Sequence, residues 1–147
     1  MSRFIEIVQG LLGRRPAYLQ VGAICLRTRK GRREVLMISS LDTGRWIIPK
    51  GWPMKGRSLA GAALREAWEE AGVKGEVAHD TVGSYAYLKQ QSGGLALRCE
   101  VNVYLVETDS LSEHYPEAGK RDRQWMAPEA AAESVAEEGL SGILRGL

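Results

Sequence analysis

Three glutamates and an arginine lie within the six residues REAWEE, at positions 65–70. Glu66, Glu69 and Glu70 are three and four residues apart, so a helix would place them side by side. Like charges at this spacing repel by roughly 0.2–0.5 kcal/mol per pair, and Arg65 offsets only part of that repulsion. Clustered carboxylate oxygens are the ligands that Mg²⁺ or Mn²⁺ requires. On these residues alone, the pattern fits either a divalent-cation site or a solvated acidic helix face.

The flanking residues predict a helix that begins after Ser58 and ends at Gly72. The Ser58 hydroxyl can accept an unpaired amide of the first turn, and glycine favours the left-handed conformation that ends a helix. The residues between them have high helix propensity. One face of this helix consists mostly of alanine and comprises Ala60, Ala63, Leu64, Ala67 and Ala71. A face of such small side chains lets the helix backbone approach a sheet closely.

A short apolar strand and a glycine loop precede this helix. Residues 46–48 read as a buried strand, and residues 49–51 lead towards the helix. Free amides of a loop and of a helix start can face anions, so this order suits a phosphate-handling loop. Lys50 and Lys55 add positive charge beside it.

Residues 51–73 resemble the Nudix box, G-x5-E-x7-R-E-U-x-E-E-x-G-U, where U is a bulky aliphatic residue. Seven of its nine specified positions match, namely Gly51, Arg65, Glu66, Glu69, Glu70, Gly72 and Val73. Ala67 is smaller than the family's aliphatic residue, and Arg57 replaces the family's first glutamate. The change to Arg57 removes one carboxylate of the box but leaves Glu66, Glu69 and Glu70 in place. Arg57 either meets a substrate phosphate or points into water.

The resemblance implies an α+β chain with the Nudix fold, a mixed β-sheet sandwiched between α-helices (α/β/α). It implies Mg²⁺ as cofactor, with Mn²⁺ as a possible replacement. Glu66 and Glu70 would be direct metal ligands, together with a backbone carbonyl near Lys50 or Gly51. Glu69 would be a third ligand or the general base, and Arg65 would orient it.

Further site residues follow from the same resemblance. The alternative general bases are Glu100, Glu113 and Glu117. The polyphosphate site would be lined by Ser39, Ser40, Lys50, Gly51, Lys120, Arg121 and Arg123. For each basic residue taken alone, a solvated surface position explains the sequence equally well.

Shorter stretches are similar to the diphosphoinositol polyphosphate and diadenosine polyphosphate hydrolase branch, at residues 38–40, 45–49, 65–75 and 119–125. The implied reaction is Mg²⁺-dependent hydrolysis of a phosphoanhydride linkage by water attack on phosphorus. The substrate would be a nucleoside- or inositol-polyphosphate compound. One alternative is an RNA 5′-end pyrophosphohydrolase, in which Trp52, Tyr85 and Tyr87 would stack on bases. The other is a non-catalytic Nudix-fold binding module, for which Arg57 is the only sequence support.

The rest of the chain reads as scaffold. Residues 18–27 and 34–40 predict a hairpin with Gly31 at its turn, and residues 75–89 alternate in polarity. Residues 95–106 form the clearest strand, apolar at odd positions and mostly polar at even ones. We expect an acidic irregular loop over residues 107–120 and then a short strand. One final helix over residues 128–138 and an apolar tail over residues 140–147 complete the chain.

Composition bounds the remaining possibilities. The 147 residues are 44% hydrophobic and 26% charged, which predicts one domain over residues 1–147. An amphipathic helical extension is expected at residues 1–16. The formal charge of +2 gives no global field that selects nucleic acid. The resemblance implies a small-molecule polyphosphate as the partner. No apolar run reaches the roughly 20 residues that span a bilayer, so no membrane partner is expected.

The two cysteines bear on the compartment. Cys25 and Cys99 lie in apolar runs and are predicted to be reduced and buried, which fits a cytoplasmic location. Both a monomer and a homodimer are compatible with the sequence.

Overall fold

The computed structural model describes residues 17–147, so the predicted helical extension at residues 1–16 lies outside them. The strands are β1 (Tyr18–Arg29), β2 (Arg32–Ser39), β3 (Trp46–Ile47), β4 (Lys50–Gly51), β5 (Val73–Val77), β6 (Gly83–Gln90), β7 (Ala96–Leu111) and β8 (Arg123–Met126). The helices are α1 (Leu59–Ala71), α2 (Pro128–Ser134) and α3 (Glu138–Arg145). Within residues 17–147, no helix is both long and apolar enough to cross a membrane.

The strands form one mixed sheet with helices on both faces. Its main path runs β3-β2-β1-β7-β5, with β4 beside β1, β6 beside β7 and β8 beside β2. β1 and β7 are parallel, and the other pairings are antiparallel. Successive residues of a strand face opposite sides, so β1 supplies both cores. Ala23 and Cys25 pack with α1, whereas Ile24 and Leu26 pack with α2 and α3. The predicted α/β/α sandwich is therefore confirmed.

Helix α1 begins and ends where the sequence predicts. The Ser58 hydroxyl accepts a hydrogen bond from the Gly61 amide at 3.0 Å, and Gly72 is left-handed with φ 69°. The buried side of α1 contains five alanines and two carboxylates, and Leu64 is only partly buried. The alanine face brings α1 close to β1, and it places the two carboxylates at the sheet.

Two expectations for the second half of the chain are wrong. Residues 107–111 continue β7 and do not begin a loop, because β5, which the sequence did not reveal, supplies their ladder partners. On the mostly polar even-numbered face of β7, Tyr104 is buried under α1. The single final helix is two helices, because Val135 is extended with ψ 152°. The expected tail belongs to α3, where Leu140 and Leu144 are buried.

Candidate active site

A cavity of about 570 Å³ opens beside β4, between the first half of β1, the inner face of α1 and the end of β6. Loop residues 40–45 and residues 121 and 137 complete its wall. The cavity therefore collects residues from seven separate parts of the chain. Of the predicted site residues, those that line it are Ser40, Lys50, Gly51, Glu66, Glu70 and Arg121.

Glu66 and Glu70 form the acidic floor of the cavity. They lie one turn apart on α1 and are 9% and 7% exposed. The Lys50 backbone amide faces Glu70 Oε1 at 3.4 Å. A Cβ atom added at Gly51 would lie 2.4 Å from the Glu66 carboxyl carbon. Glycine at position 51 is therefore what lets the Glu66 carboxylate lie against the β4 backbone.

Burial raises the pKa of both carboxyl groups of this pair. Desolvation raises the pKa of Glu70 to about 8, the neighbouring Glu66 raises it further, and Arg121 opposes the shift. Desolvation also raises the pKa of Glu66. Two adjacent buried carboxylates supply hard oxygen donors, and their combined negative charge exceeds the positive charge of the nearby arginine, Arg121. This donor set fits a divalent cation, whose binding would displace a bound proton.

The metal-free protein is expected to lose stability as pH rises. Because the folded-state pKa of Glu70 lies above its ordinary value of 4.5, the folded state binds more protons than the unfolded state between those two pH values. The stabilising contribution is full below about pH 4.5 and is lost as pH rises through about 8. Urea unfolding in a chelator should show this fall, and Glu70→Gln should reduce it. An equal pH dependence in the variant would contradict the raised pKa.

Glu69 points away from the pair. Its Oε1 accepts a hydrogen bond from Arg65 Nε at 2.9 Å, and neither residue lines the cavity. Among residues 17–147, no three or more His, Cys, Asp or Glu side chains converge as a metal site. The arrangement is thus two carboxylates and not three. The roles of Glu69 as third ligand or base, and of Arg65 as its orienting partner, stay predictions.

Arg121 lies beside Glu70 at the acidic floor. Its Nε donates to Glu117 Oε1 at 3.1 Å, and its Nη1 donates to the Ser39 carbonyl at 3.1 Å. Its Nη2 lies 3.9 Å from Glu70 Oε1, and only 9% of its side chain is exposed. The Ser39 hydroxyl accepts from the Asp122 amide at 2.9 Å. Ser39 thus fixes the segment that carries Arg121 and does not itself line the cavity.

Two other predicted basic residues lie elsewhere. Arg123 Nη1 donates to the carbonyls of Ala71 and Ser112, both at 2.9 Å. These two hydrogen bonds connect the C-terminal end of α1 to the loop after β7. Arg123 therefore has a structural role. Lys120 is exposed and does not line the cavity. Of the alternative bases, Glu100, Glu113 and Glu117 are also absent from its lining.

Arg57, the departure from the box, lies on the far side of α1. It is exposed and lines a shallow groove of about 530 Å³ together with Arg65, Trp68 and Lys74. This groove is separate from the cavity, whose lining lacks Arg57. The structure therefore gives no support to a phosphate contact by Arg57 in the cavity.

Sequence reasoning missed several cavity residues. The sequence suggests Trp52 and Tyr87 only as RNA-stacking residues, and it assigns no site role to Gln20, Lys89 or Glu137, although all five line the cavity. Gln20 carried a usable signal, because it is the only polar residue within the apolar run 19–26. A buried polar side chain needs a partner, and Gln20 is 2% exposed. The loop at residues 40–45 and Glu137 gave no comparable signal, since their proximity depends on the tertiary fold.

Comparisons with known proteins agree with this arrangement. The family model described as NUDIX domain matches residues 18–145. The chain is 30% identical to Nudix hydrolase 13, mitochondrial, of Arabidopsis thaliana over 120 residues, which are 78% of this chain and 59% of that protein. It is 30% identical to diphosphoinositol polyphosphate phosphohydrolase 3-beta of Homo sapiens over 114 residues, covering 76% of this chain and 65% of that protein.

A solved structure supports the fold. The C. elegans Ap4A hydrolase superposes with a TM-score of 0.62 at 19% identity, covering 88% of this chain and 94% of that one. The chain spans little more than half the length of the Arabidopsis relatives it matches. The box residues, the sandwich with its buried pair of carboxylates and the family match agree: the chain belongs to the Nudix family.

Proposed function

We propose that this chain is a divalent-metal-dependent hydrolase of a phosphoanhydride linkage, with a nucleoside-type polyphosphate as substrate. The observation that carries the proposal is the buried pair Glu66 and Glu70, packed against Gly51 on the wall of a cavity that also contains Lys50 and Arg121. Mg²⁺ is the expected ion, and Mn²⁺ is expected to replace it.

Each side chain has a distinct task in this proposal. Glu66 and Glu70 would hold the metal through carboxylate oxygens, with a backbone carbonyl of β4 close by. When bound, the ion would neutralise the diphosphate and lower the pKa of a coordinated water. Lys50 and Arg121 would bind phosphate oxygens and stabilise the negative charge that grows on the leaving group.

Burial also changes the pKa of Lys50. Desolvation lowers the pKa of its ammonium, and the charge of Glu70 opposes that shift. A cation in such a partly dry position interacts more strongly with phosphate than it would in water. Arg121 is already held by Glu117 and Ser39, so its guanidinium is fixed before substrate arrives.

The charge of the cavity favours a nucleoside-type substrate over an inositol pyrophosphate. Its cations are Arg45, Lys50, Lys89 and Arg121, and its carboxylates are Asp42, Glu66, Glu70 and Glu137. A fully phosphorylated inositol ring carries charge on every side and requires a densely cationic wall. This wall is balanced in charge and includes the apolar groups Leu41, Ile47, Trp52, Tyr87 and Leu88. Such a lining suits a planar apolar base joined to a short polyphosphate.

Trp52 is the expected contact for the base. It lines the cavity and is 42% exposed, so one indole surface is open to a ligand. Base–aromatic stacking contributes about 1–3 kcal/mol, so Trp52→Ala should lower kcat/KM for dinucleoside polyphosphates by about 5-fold or more. Tyr18→Ala is the control, because Tyr18 contacts the Trp52 ring from outside the cavity. Steady-state kinetics with unchanged kcat/KM in Trp52→Ala would contradict base stacking.

A substrate screen tests the function itself. Diadenosine polyphosphates, ADP-ribose, nucleoside triphosphates, inositol pyrophosphates and 5′-triphosphorylated RNA would each be incubated with Mg²⁺ or Mn²⁺. The proposal expects metal-dependent hydrolysis of a nucleotide compound in preference to the inositol compounds. Preferred cleavage of the RNA would favour the pyrophosphohydrolase alternative. Binding without hydrolysis of any compound would favour the non-catalytic module.

A further inference from the structure

Lys50 projects into the cavity from a two-residue strand, beside the glycine that accommodates Glu66. Its ammonium nitrogen lies 5.1 Å from the centroid of the Tyr87 ring. A lysine side chain has four rotatable bonds, so its charged end needs a second contact to stay in one place. Within residues 17–147 that contact is an aromatic face, and no carboxylate lies close enough to form an ion pair with the ammonium.

The Tyr87 ring is itself fixed at both ends. Its backbone lies on β6, opposite Cys99 of β7. Its hydroxyl donates to Gln20 Oε1 at 2.5 Å. Gln20 is 2% exposed on β1 and so has little freedom to move. The strands β6, β7 and β1 therefore hold one aromatic ring under a lysine that belongs to β4.

The chemistry of this contact suits an anion-binding lysine. An aromatic face attracts an ammonium through its quadrupole but does not neutralise its charge. A carboxylate in the same place would fix the lysine equally well, but it would compete with phosphate for the N–H donors. The ring orients Lys50 and leaves those donors free for an incoming oxygen.

We propose that Tyr87, oriented by Gln20, is a positioning residue that holds the Lys50 ammonium ready for a substrate phosphate. The kinetic part of this inference rests on the proposed function, whereas the structural part does not. Gln20 acts on Lys50 indirectly, because it accepts the hydrogen bond that fixes the Tyr87 ring.

The structural test is NMR of protein with ¹³C-labelled lysine. Ring currents should move the Lys50 ε-methylene protons upfield of those of the other lysines, and Lys50→Met identifies the signal. Tyr87→Leu should return the Lys50 signal to the range of the others, and Gln20→Leu should reduce its displacement. Tyr115→Leu is the matched control, because Tyr115 stacks with Arg123 at 4.9 Å and does not line the cavity. A displaced Lys50 signal that persists in Tyr87→Leu would overturn the proposal.

The kinetic test is a double-mutant cycle. Tyr87→Leu should lower kcat/KM by about 10-fold, because it releases a lysine that binds the substrate phosphate and stabilises charge on the leaving group. Combined with Lys50→Met, the same change should add nothing, since Tyr87 acts through Lys50. Additive effects would show a general structural role and refute positioning. Tyr87→Phe keeps the ring and the fold, and its effect should be smaller than that of Tyr87→Leu.

The two proposals fail in different ways. If the wild-type protein hydrolyses no diphosphate, the proposed function fails, and the NMR comparison still decides whether Tyr87 positions Lys50. If hydrolysis is normal and the cycle is additive, only the positioning role fails.

Discussion

Replacing Glu70 by glutamine is expected to lower the turnover of a diphosphate substrate by about 10²–10³-fold. Glu70 is one of two buried carboxylates on the cavity floor, and an amide cannot supply the anionic oxygen that a divalent cation prefers. The fold should survive, because the raised pKa of Glu70 means that its site already accepts a neutral side chain. Single-turnover kinetics at saturating metal would measure the loss.

The control for this variant is Glu129→Gln. Glu129 lies on α2, pairs with Arg145 and is exposed, so its substitution should leave turnover unchanged. Circular dichroism and thermal unfolding would establish that both variants are folded. Near-normal turnover by a folded Glu70→Gln protein would exclude Glu70 as a metal ligand.

Adding one methyl group at position 51 is expected to lower turnover about as much as Glu70→Gln does. In Gly51→Ala the new Cβ would lie 2.4 Å from Glu66 Cδ and Oε1 and 2.7 Å from Oε2. The carboxylate must therefore move by about 1 Å, and a displacement of that size costs about 10²-fold in rate. Metal affinity should fall as well, because Glu66 would no longer face Glu70 in the same geometry.

Gly142→Ala separates this effect from the general consequences of losing a glycine. A Cβ at position 142 meets nothing within 4 Å, and the residue lies within α3. Its replacement should leave activity unchanged and stabilise the helix by about 0.5–1 kcal/mol. If Gly51→Ala retained wild-type activity, the close packing of Glu66 against β4 would have no catalytic importance.

The sequence was most informative where local rules determine the structure. The Ser58 cap, the Gly72 stop and the alanine face of α1 follow from helix propensity, and all three are present. The hairpin at Gly31 is also present, with φ 74° at that glycine. The two glutamates that reach the cavity are four residues apart, so helix periodicity alone places them on one face.

Other features depended on contacts that no local pattern reveals. Glu69 matches the box as well as Glu66 does, but its pairing with Arg65 is decided by side-chain geometry. Arg121 and Arg123 were indistinguishable in the sequence. The first reaches Glu70, whereas the second binds the carbonyls of Ala71 and Ser112. The strand β5 was missed because its short run, VKGEV, is half polar and pairs only with the end of β7.

The central claim is that Glu66 and Glu70 together bind a divalent cation, and Mn²⁺ titration followed by electron paramagnetic resonance tests it most directly. We predict one site in the wild-type protein that is occupied at millimolar or lower metal and is displaced by Mg²⁺. Affinity should be at least about 10-fold weaker in Glu70→Gln and in Gly51→Ala, and unchanged in Glu129→Gln. Equal Mn²⁺ affinity in the wild type and Glu70→Gln, or no binding in the wild type at several millimolar metal, would contradict the account.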